Sequence, residues 1–147
     1  MKHFEKLENF VKSNKNWEEI LKPNMKSIYP VEGRNWVVLM YTLMDMPDDK
    51  EIFDIMCQCR GTVIDKTTGE IICAPFTKFW NYKDEGVAAD IDWPSAWVSH
   101  KRDGWIFKAF KWHGNVYWMS NGRVITENEK GAPVDYVPGL PRLNNMS

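Results

Sequence analysis

The first candidate chemistry in this chain lies in SHKRDGWIFKAF, residues 99–110, where Lys101 stands two residues before Asp103-Gly104. Two interpretations fit these residue types. Asp-Gly is a strong turn dipeptide and lysine is a common solvated residue, so the stretch could be a surface turn. Alternatively, Lys101 could be a nucleophile that forms a covalent intermediate. The motif alone favours the surface turn, because four-residue patterns arise readily by chance.

A nucleophilic role makes a physical demand on Lys101. An ordinary lysine has a pKa of about 10.4, so near pH 7.4 only about one molecule in a thousand offers a neutral amine. Desolvation and neighbouring cations both disfavour the charged form and therefore activate the amine. Trp105 and Phe107 would supply apolar surroundings and Arg102 a neighbouring cation, provided that the Lys101 side chain points inward.

Two earlier motifs contain further cations that suit phosphate groups. Arg60 lies in the triplet Cys-Arg-Gly, and the arginine fork can bind phosphate through two hydrogen bonds, although an arginine at the start of a strand is usually a surface residue. Lys78 opens the motif Lys-Phe-Trp-Asn. A lysine there could bind phosphate or lay its aliphatic chain over the neighbouring rings.

Taken in order, these motifs resemble a known family. The segments CQCRGTVID, APFTKFWNYKDEG, WVSHKRDGWIFKAF and WMSNG resemble the N-terminal part of the nucleotidyltransferase domain of ATP-dependent RNA ligases, specifically the bacteriophage tRNA-repair type. The resemblance extends from about residue 33 to about residue 123. A Lys-x-Asp-Gly motif by itself is weak, whereas its combination with two upstream motifs in the matching order is specific.

The resemblance implies covalent nucleotidyl transfer from ATP with Mg²⁺. In that family a lysine attacks the α-phosphate of ATP, AMP passes to an RNA 5′-phosphate, and a 3′-hydroxyl then displaces AMP to seal the strand. The substrates would be RNA ends, including those of tRNA. The catalytic residues that the resemblance implies are Lys101, Arg60 and Lys78. The nucleotide-binding residues that it implies are Gly61, Phe79, Trp80, Asp103 and Gly104.

The chain departs from the family pattern in two places. Asn121 stands in a Ser-Asn-Gly element where the family usually has a central lysine. After residue 122 we find none of the family's later motifs, which supply an acidic-aromatic strand, a metal-binding glutamate and two lysines for the α-phosphate. The late charged residues Glu127, Glu129 and Lys130 lie in a polar context rich in Gly and Pro, without strand character.

Three functional classes therefore stay open. The chain could be an RNA ligase or a fragment of one, a non-catalytic nucleotide- or RNA-binding protein derived from a ligase, or one half of a split enzyme. In the last case another chain would supply the missing half-domain. We expect little catalysis by this chain alone, because charge stabilisation around the α-phosphate would be incomplete. An uncovered sheet would also favour a homo-oligomer.

Length and composition limit the class of protein to which the chain can belong. The chain has 147 residues, 44% apolar and 27% charged, which suits one globular domain. The net charge of −1 argues against a wholly basic surface, but residues 98–123 contain five Lys and Arg against one Asp. No apolar run reaches the roughly 18 residues of a membrane span, and the N-terminus is too charged for a signal peptide. We therefore expect a protein without membrane contact, in the cytoplasm, or in the host cytoplasm if phage-encoded. Three cysteines without metal-site spacing predict no zinc.

The order of helical and strand patterns along the sequence predicts an α+β fold that would position these residues. N-terminal helices should be followed by a mainly antiparallel sheet of hairpins. Apolar spacing predicts an amphipathic helix over residues 3–13, and Asn16 can cap a second helix over residues 17–22. The polar stretch PDDKEIFDIM predicts a turn that leads into a short helix or an irregular link. We assign residues 1–125 to a partial nucleotidyltransferase domain and residues 126–147 to an extended tail.

Runs rich in β-branched and aromatic residues predict the strands. Three hairpins should turn at Gly33-Arg34, at the Thr-Thr-Gly of residues 67–69, and at His113-Gly114. The segment AWVSHK, residues 96–101, should form a further strand, and the segment between residues 77 and 94 should be a connecting loop. The motif residues would thus lie at strand ends and in the loops between hairpins.

Overall fold

The protein is described by a computed structural model. The residues that it describes are 4–42, 47–81, 92–100, 103–104, 106–120 and 122–125. Within them the chain has three α-helices and two antiparallel sheets, which confirms the predicted α+β class and its order of helices followed by hairpins. No helix in this part of the chain is long and apolar enough to cross a membrane.

The helices form where apolar residues recur at helical spacing. Helix α1 spans Glu5–Ser13, and helix α2 spans Trp17–Leu21. Helix α3 spans Lys50–Cys57 and begins at Asp49, whose carboxylate accepts a hydrogen bond from the Ile52 N–H. Helices α1 and α3 are joined through the Gln58 side chain, whose Oε1 accepts a hydrogen bond from the Leu7 N–H at 3.0 Å.

The first sheet has four antiparallel strands in the order β1-β2-β3-β4. Their bounds are Met25–Pro30, Trp36–Tyr41, Arg60–Asp65 and Ile71–Cys73. The predicted turns at Gly33 and at residues 67–69 are confirmed, since Gly33 and Gly69 both have positive φ. A Cβ on Gly69 would approach Lys12 Cγ to 2.9 Å, so the absence of a side chain there lets the β3–β4 turn lie against α1.

The second sheet has three antiparallel strands in the order β5-β6-β7. Their bounds are Lys108–Trp112, Asn115–Met119 and Val124–Ile125. The hairpin predicted around His113-Gly114 is confirmed, and the φ angles of 46° and 85° at these two residues match a two-residue turn with both centres left-handed. Strand β7 was not predicted, because two residues carry too little alternation to identify a strand.

The four-stranded sheet buries side chains on both faces. On one face Val37, Leu39 and Ile64 pack with the three helices, in a group that we call the helix-backed cluster. On the other face Val38 and Val63 pack against the second sheet, in a group that we call the inter-sheet cluster. The period of two along β2 and β3 produces this division, because successive strand residues point to opposite faces.

Two local predictions were wrong. Residues 96–100 form no strand, and Trp97 and Val98 are 88% and 86% exposed. A strand needs a neighbouring backbone to pair with, and the segment lies outside both sheets. Asn16 does begin α2, but its side chain makes no capping bond; its backbone carbonyl accepts from the Glu19 and Ile20 N–H groups instead. The predicted tail lies outside the described residues.

Candidate functional site

Arg60 occupies the first position of β3, where the strand is irregular. It lies opposite Met40, and the pairing of β2 with β3 shifts between Leu39 and Met40. The next residue, Gly61, is buried and has a φ of 80°. Irregularities of this kind re-aim side chains at a strand end. The Arg60 guanidinium carbon lies 4.2 Å from the centre of the Phe79 ring, so the arginine of the first motif contacts an aromatic residue of the second.

Lys78 is held against the end of α3. Its N–H donates a 2.7 Å hydrogen bond to the Cys57 carbonyl, which fixes the start of the Lys-Phe-Trp-Asn motif. The Lys78 ammonium lies 3.7 Å from the Trp80 ring centre. Trp80 in turn stacks on Phe53 of α3, with ring centres 5.8 Å apart and ring planes inclined by 11°. In this structure Lys78 therefore packs over a neighbouring ring, one of the two arrangements predicted for it.

Tyr41 connects the two motif cations. Its ring centre lies 5.9 Å from Lys78 Nζ, and its N–H donates to the Cys59 carbonyl at 2.9 Å. Burial raises the pKa of the Tyr41 phenol, while the nearby Arg60 charge opposes that rise. Arg60 and Lys78 are thus neighbours of one phenol at the end of β2, and the fold brings two of the predicted motifs together.

A cavity of about 500 Å³ lies between the two sheets beside Arg60. Arg60 and residues 72–76 form one wall, and residues 106–111 form the other. The second wall belongs to the segment that follows Asp103-Gly104 directly in the chain. A volume of this size is within the range of small-molecule and cofactor sites, which are mostly apolar with a few polar groups.

Lys108 lies on the cavity wall and has an unusual environment. Along β5 it shares the half-buried face with Phe110 and Trp112, while Ala109 and Lys111 are exposed. Its Nζ is buried and has no hydrogen-bond partner among the described residues. Burial lowers the pKa of this amine, a nearby thiol opposes the shift, and the Arg60 charge adds to it.

The cavity is rich in positive charge. Its lining contains Arg60, Lys108 and Lys111. Within the described ranges, the ion pairs are Lys6–Asp54, Lys12–Glu8 and Lys66–Glu18, so no carboxylate pairs with these three cations. Cys73 faces Lys108, but burial raises the pKa of this thiol and keeps it neutral near pH 7. Such an arrangement attracts anions rather than metal cations. Accordingly, the described part of the chain has no group of three His, Cys, Asp or Glu residues suited to a metal.

The remaining predicted site residues are placed as follows. Asp103 and Gly104 are both exposed, and Gly104 has a φ of 139°, a conformation that side chains rarely allow. A Cβ on Gly104 would meet no described residue within 4 Å, so this part of the chain leaves its backbone open to approach. Phe79 is 63% exposed and Trp80 is half-buried. Lys101 lies outside the described residues.

Lys108 is the site residue that sequence reasoning missed. The signal was present in FKAFKW, because alternation places Lys108 on the same face as Phe110 and Trp112. A lysine on the apolar face of a strand is uncommon, since a charged group is costly to bury without a partner. In the sequence, this lysine stands out only as part of the positive charge of residues 98–123.

Comparison with known proteins finds no match to this chain among family models, curated proteins or solved structures. The resemblance to RNA ligases therefore rests on the motifs quoted above and stays a prediction.

Proposed function

We propose that this chain binds ATP in the cavity between its sheets and is an RNA-ligase-like nucleotidyltransferase. One observation carries the proposal: the cavity is lined by Arg60 of the first motif and by residues 106–111, which directly follow the Lys-x-Asp-Gly motif. The fold thus brings Arg60 of the first motif beside the segment that comes after the Lys-x-Asp-Gly motif in the chain. The reaction would serve RNA ends, tRNA included, in the cytoplasm of the cell or host.

The chemistry of the cavity suits a nucleotide. Its apolar walls can cover a base, while Arg60 offers a planar fork with the geometry of a phosphate. Phe79, beneath the Arg60 guanidinium, fixes the direction of this cation. Lys78 packs over Trp80 outside the lining of the cavity. Mg²⁺ is usually bound largely through substrate phosphates, so it would arrive with ATP rather than in a cage of protein ligands.

In the proposed reaction the neutral Lys101 amine attacks the α-phosphorus of ATP. A nitrogen–phosphorus bond forms, the bond to pyrophosphate breaks, and the amine loses a proton to solvent. Arg60 would stabilise the negative charge that develops on the phosphates, which is the main contribution a protein makes to phosphoryl transfer. An RNA 5′-phosphate would then displace the lysine and accept AMP.

The test is intact-mass measurement after incubation with ATP and Mg²⁺. Because little catalysis is expected from the chain alone, we expect a small fraction of the parent protein to acquire one AMP. The same fraction should appear on Lys26→Ala, whose lysine is exposed on β1 away from the cavity, and no adduct should appear on Lys101→Ala. An unmodified parent that still binds ATP would support the non-catalytic nucleotide-binding class. An unmodified parent without ATP affinity would contradict both functions.

A second candidate, in which another chain completes the site, is favoured by the cavity rim. Phe76 and Ile106 both line the cavity, yet they are 79% and 47% exposed. Large apolar side chains at a rim bind a further surface readily. Light scattering coupled to gel filtration distinguishes the alternatives: a homo-oligomer or a complex with a second chain supports completion, and a monomer that forms the AMP adduct contradicts it.

A further inference from the structure

The position of Lys108 is not explained by packing. Strand β5 has an exposed face, occupied by Ala109 and Lys111, where a lysine is fully solvated. Lys108 instead lies on the face that contacts the inter-sheet cluster, with its Nζ buried and without a hydrogen-bond partner among the described residues. Buried amines are normally paired, because an unpaired one gives up its hydration without compensation.

Among the described residues, no carboxylate pairs with Lys108. The two titratable groups that act on it most strongly are Cys73, a neutral thiol near pH 7, and Arg60, a second cation. Lys111, the other charged residue of the same wall, is also a cation. The negative charge that would complete this environment must therefore come from outside the described part of the chain, and the adjoining cavity is large enough to admit it.

We propose that Lys108 and Arg60 together form a phosphate-binding subsite between the two sheets, in which Lys108 turns toward the bound anion. An arginine fork and a flexible ammonium are the two side chains that bind phosphate oxygens most often. The inference rests on the proposed function for the identity of the ligand, a nucleotide phosphate. It does not depend on the reactivity of Lys101, which separates the two experimentally.

The first experiment measures binding without chemistry. Lys101→Ala protein is titrated calorimetrically with AMP, inorganic pyrophosphate and adenosine, alone and combined with Lys108→Met, Lys108→Arg or Lys26→Met. We expect Lys108→Met to weaken the binding of AMP and of pyrophosphate at least tenfold. Lys108→Arg should keep most of the affinity for both ligands, and Lys26→Met should leave it unchanged. Adenosine should bind equally to all variants, because it has no phosphate. Pyrophosphate that binds as well as AMP would identify a free-phosphate site rather than a nucleotide site.

The second experiment labels the amine directly in the otherwise unmodified protein. Pyridoxal 5′-phosphate carries an aldehyde and a phosphate; its aldehyde condenses with an amine to an imine and releases water, and borohydride then reduces the imine to a stable secondary amine. Peptide mapping should place the label on Lys108, and pyrophosphate should protect it. Pyridoxal without phosphate should label Lys108 far less, since the phosphate directs the reagent.

The outcomes distinguish this subsite from the proposed function. Loss of phosphate affinity in Lys108→Met, together with an unmodified parent in the ATP experiment, supports the subsite and contradicts the ligase activity. An AMP adduct that forms on Lys108→Met with unchanged dependence on ATP overturns the subsite and leaves the ligase activity in place. Absence of AMP and pyrophosphate binding to Lys101→Ala, or equal binding to its Lys108→Met derivative, also overturns the subsite.

Discussion

The two faces of the four-stranded sheet differ in how completely their polar groups are satisfied. In the helix-backed cluster the interior polar residues are paired: Gln58 accepts from the Leu7 N–H, and its own carbonyl accepts from the Thr62 hydroxyl. Beside the inter-sheet cluster, Lys108 Nζ is buried with no hydrogen-bond partner among the residues that the structure describes, and a cavity adjoins it. Proteins retain such costly features mainly at functional sites. The difference agrees with the proposal that one face stabilises the fold and the other binds a ligand.

The largest expected effect is a loss of stability when the helix-backed face of the sheet is truncated. Leu39 is fully buried in the helix-backed cluster, and Leu39→Ala should lower the free energy of unfolding by about 3 kcal/mol. Val124 is 5% exposed at the edge of the inter-sheet cluster, and Val124→Ala should cost only about 1 kcal/mol. Urea unfolding followed by circular dichroism measures both. Equal losses would contradict the assignment of the main stabilising role to the helix-backed face.

The next effect concerns ligand chemistry. Arg60→Ala should lower the rate of AMP-adduct formation roughly 100-fold, equivalent to about 2.7 kcal/mol, because a preorganised cation beside the phosphates is lost. Arg34 provides a matched control: its guanidinium also lies over aromatic rings, 5.1 Å from the Trp36 ring centre, but outside the cavity lining. Single-turnover assays with labelled ATP measure the rates. Equal reductions in rate for Arg60→Ala and Arg34→Ala would contradict the proposed role of Arg60 beside the phosphates.

The smallest expected effect is a gain in stability when Lys108 is replaced. Lys108→Met should raise the free energy of unfolding at pH 7 by about 1 kcal/mol, because it replaces a buried, unpaired charge with an apolar side chain of similar length. We take the low end of the usual range, since Lys108 is only partly buried and solvent screens its charge. Urea unfolding of both proteins measures the gain, with Lys26→Met as the control for loss of one positive charge.

This gain should depend on pH. Because the folded-state pKa of Lys108 is lowered, the unfolded chain binds more protons between that pKa and the ordinary value of about 10.4. The stability contribution of Lys108 therefore improves as pH rises through this interval. The advantage of Lys108→Met should shrink toward pH 10, and an advantage that stays constant or grows would contradict the proposed environment.

Much of the fold could be predicted because its signals are local. The helices follow from the spacing of residues such as Leu7 and Val11, and the hairpins follow from runs of strand-forming residues around glycine-containing turns. Residues 96–100 show the limit of this approach. Trp97 and Val98 have strand-forming character, but pairing depends on a partner backbone elsewhere in the chain, which no local pattern specifies.

The candidate site likewise contains residues that the sequence identified and a residue that only the structure revealed. Arg60 and Lys78 were identified from their motifs, and the structure places both beside Tyr41. The motifs did not reveal that Lys78 packs over Trp80, because two arrangements of that side chain satisfy the same sequence. Nor did they select Lys108, whose importance depends on an adjoining cavity and on the cations near it.

The sequence alone predicts helices α1 and α2, the hairpin turns and the face of β5 on which Lys108 lies, since these depend on residue spacing and on turn chemistry. It left α3 open between a short helix and an irregular link. Only the tertiary structure decided that β3 and β5, more than 40 residues apart, form opposite walls of one cavity. It also decided that no carboxylate of the described residues pairs with the cations there. Burial and charge pairing are set by packing between distant segments, and so they appear only when the sheets are assembled.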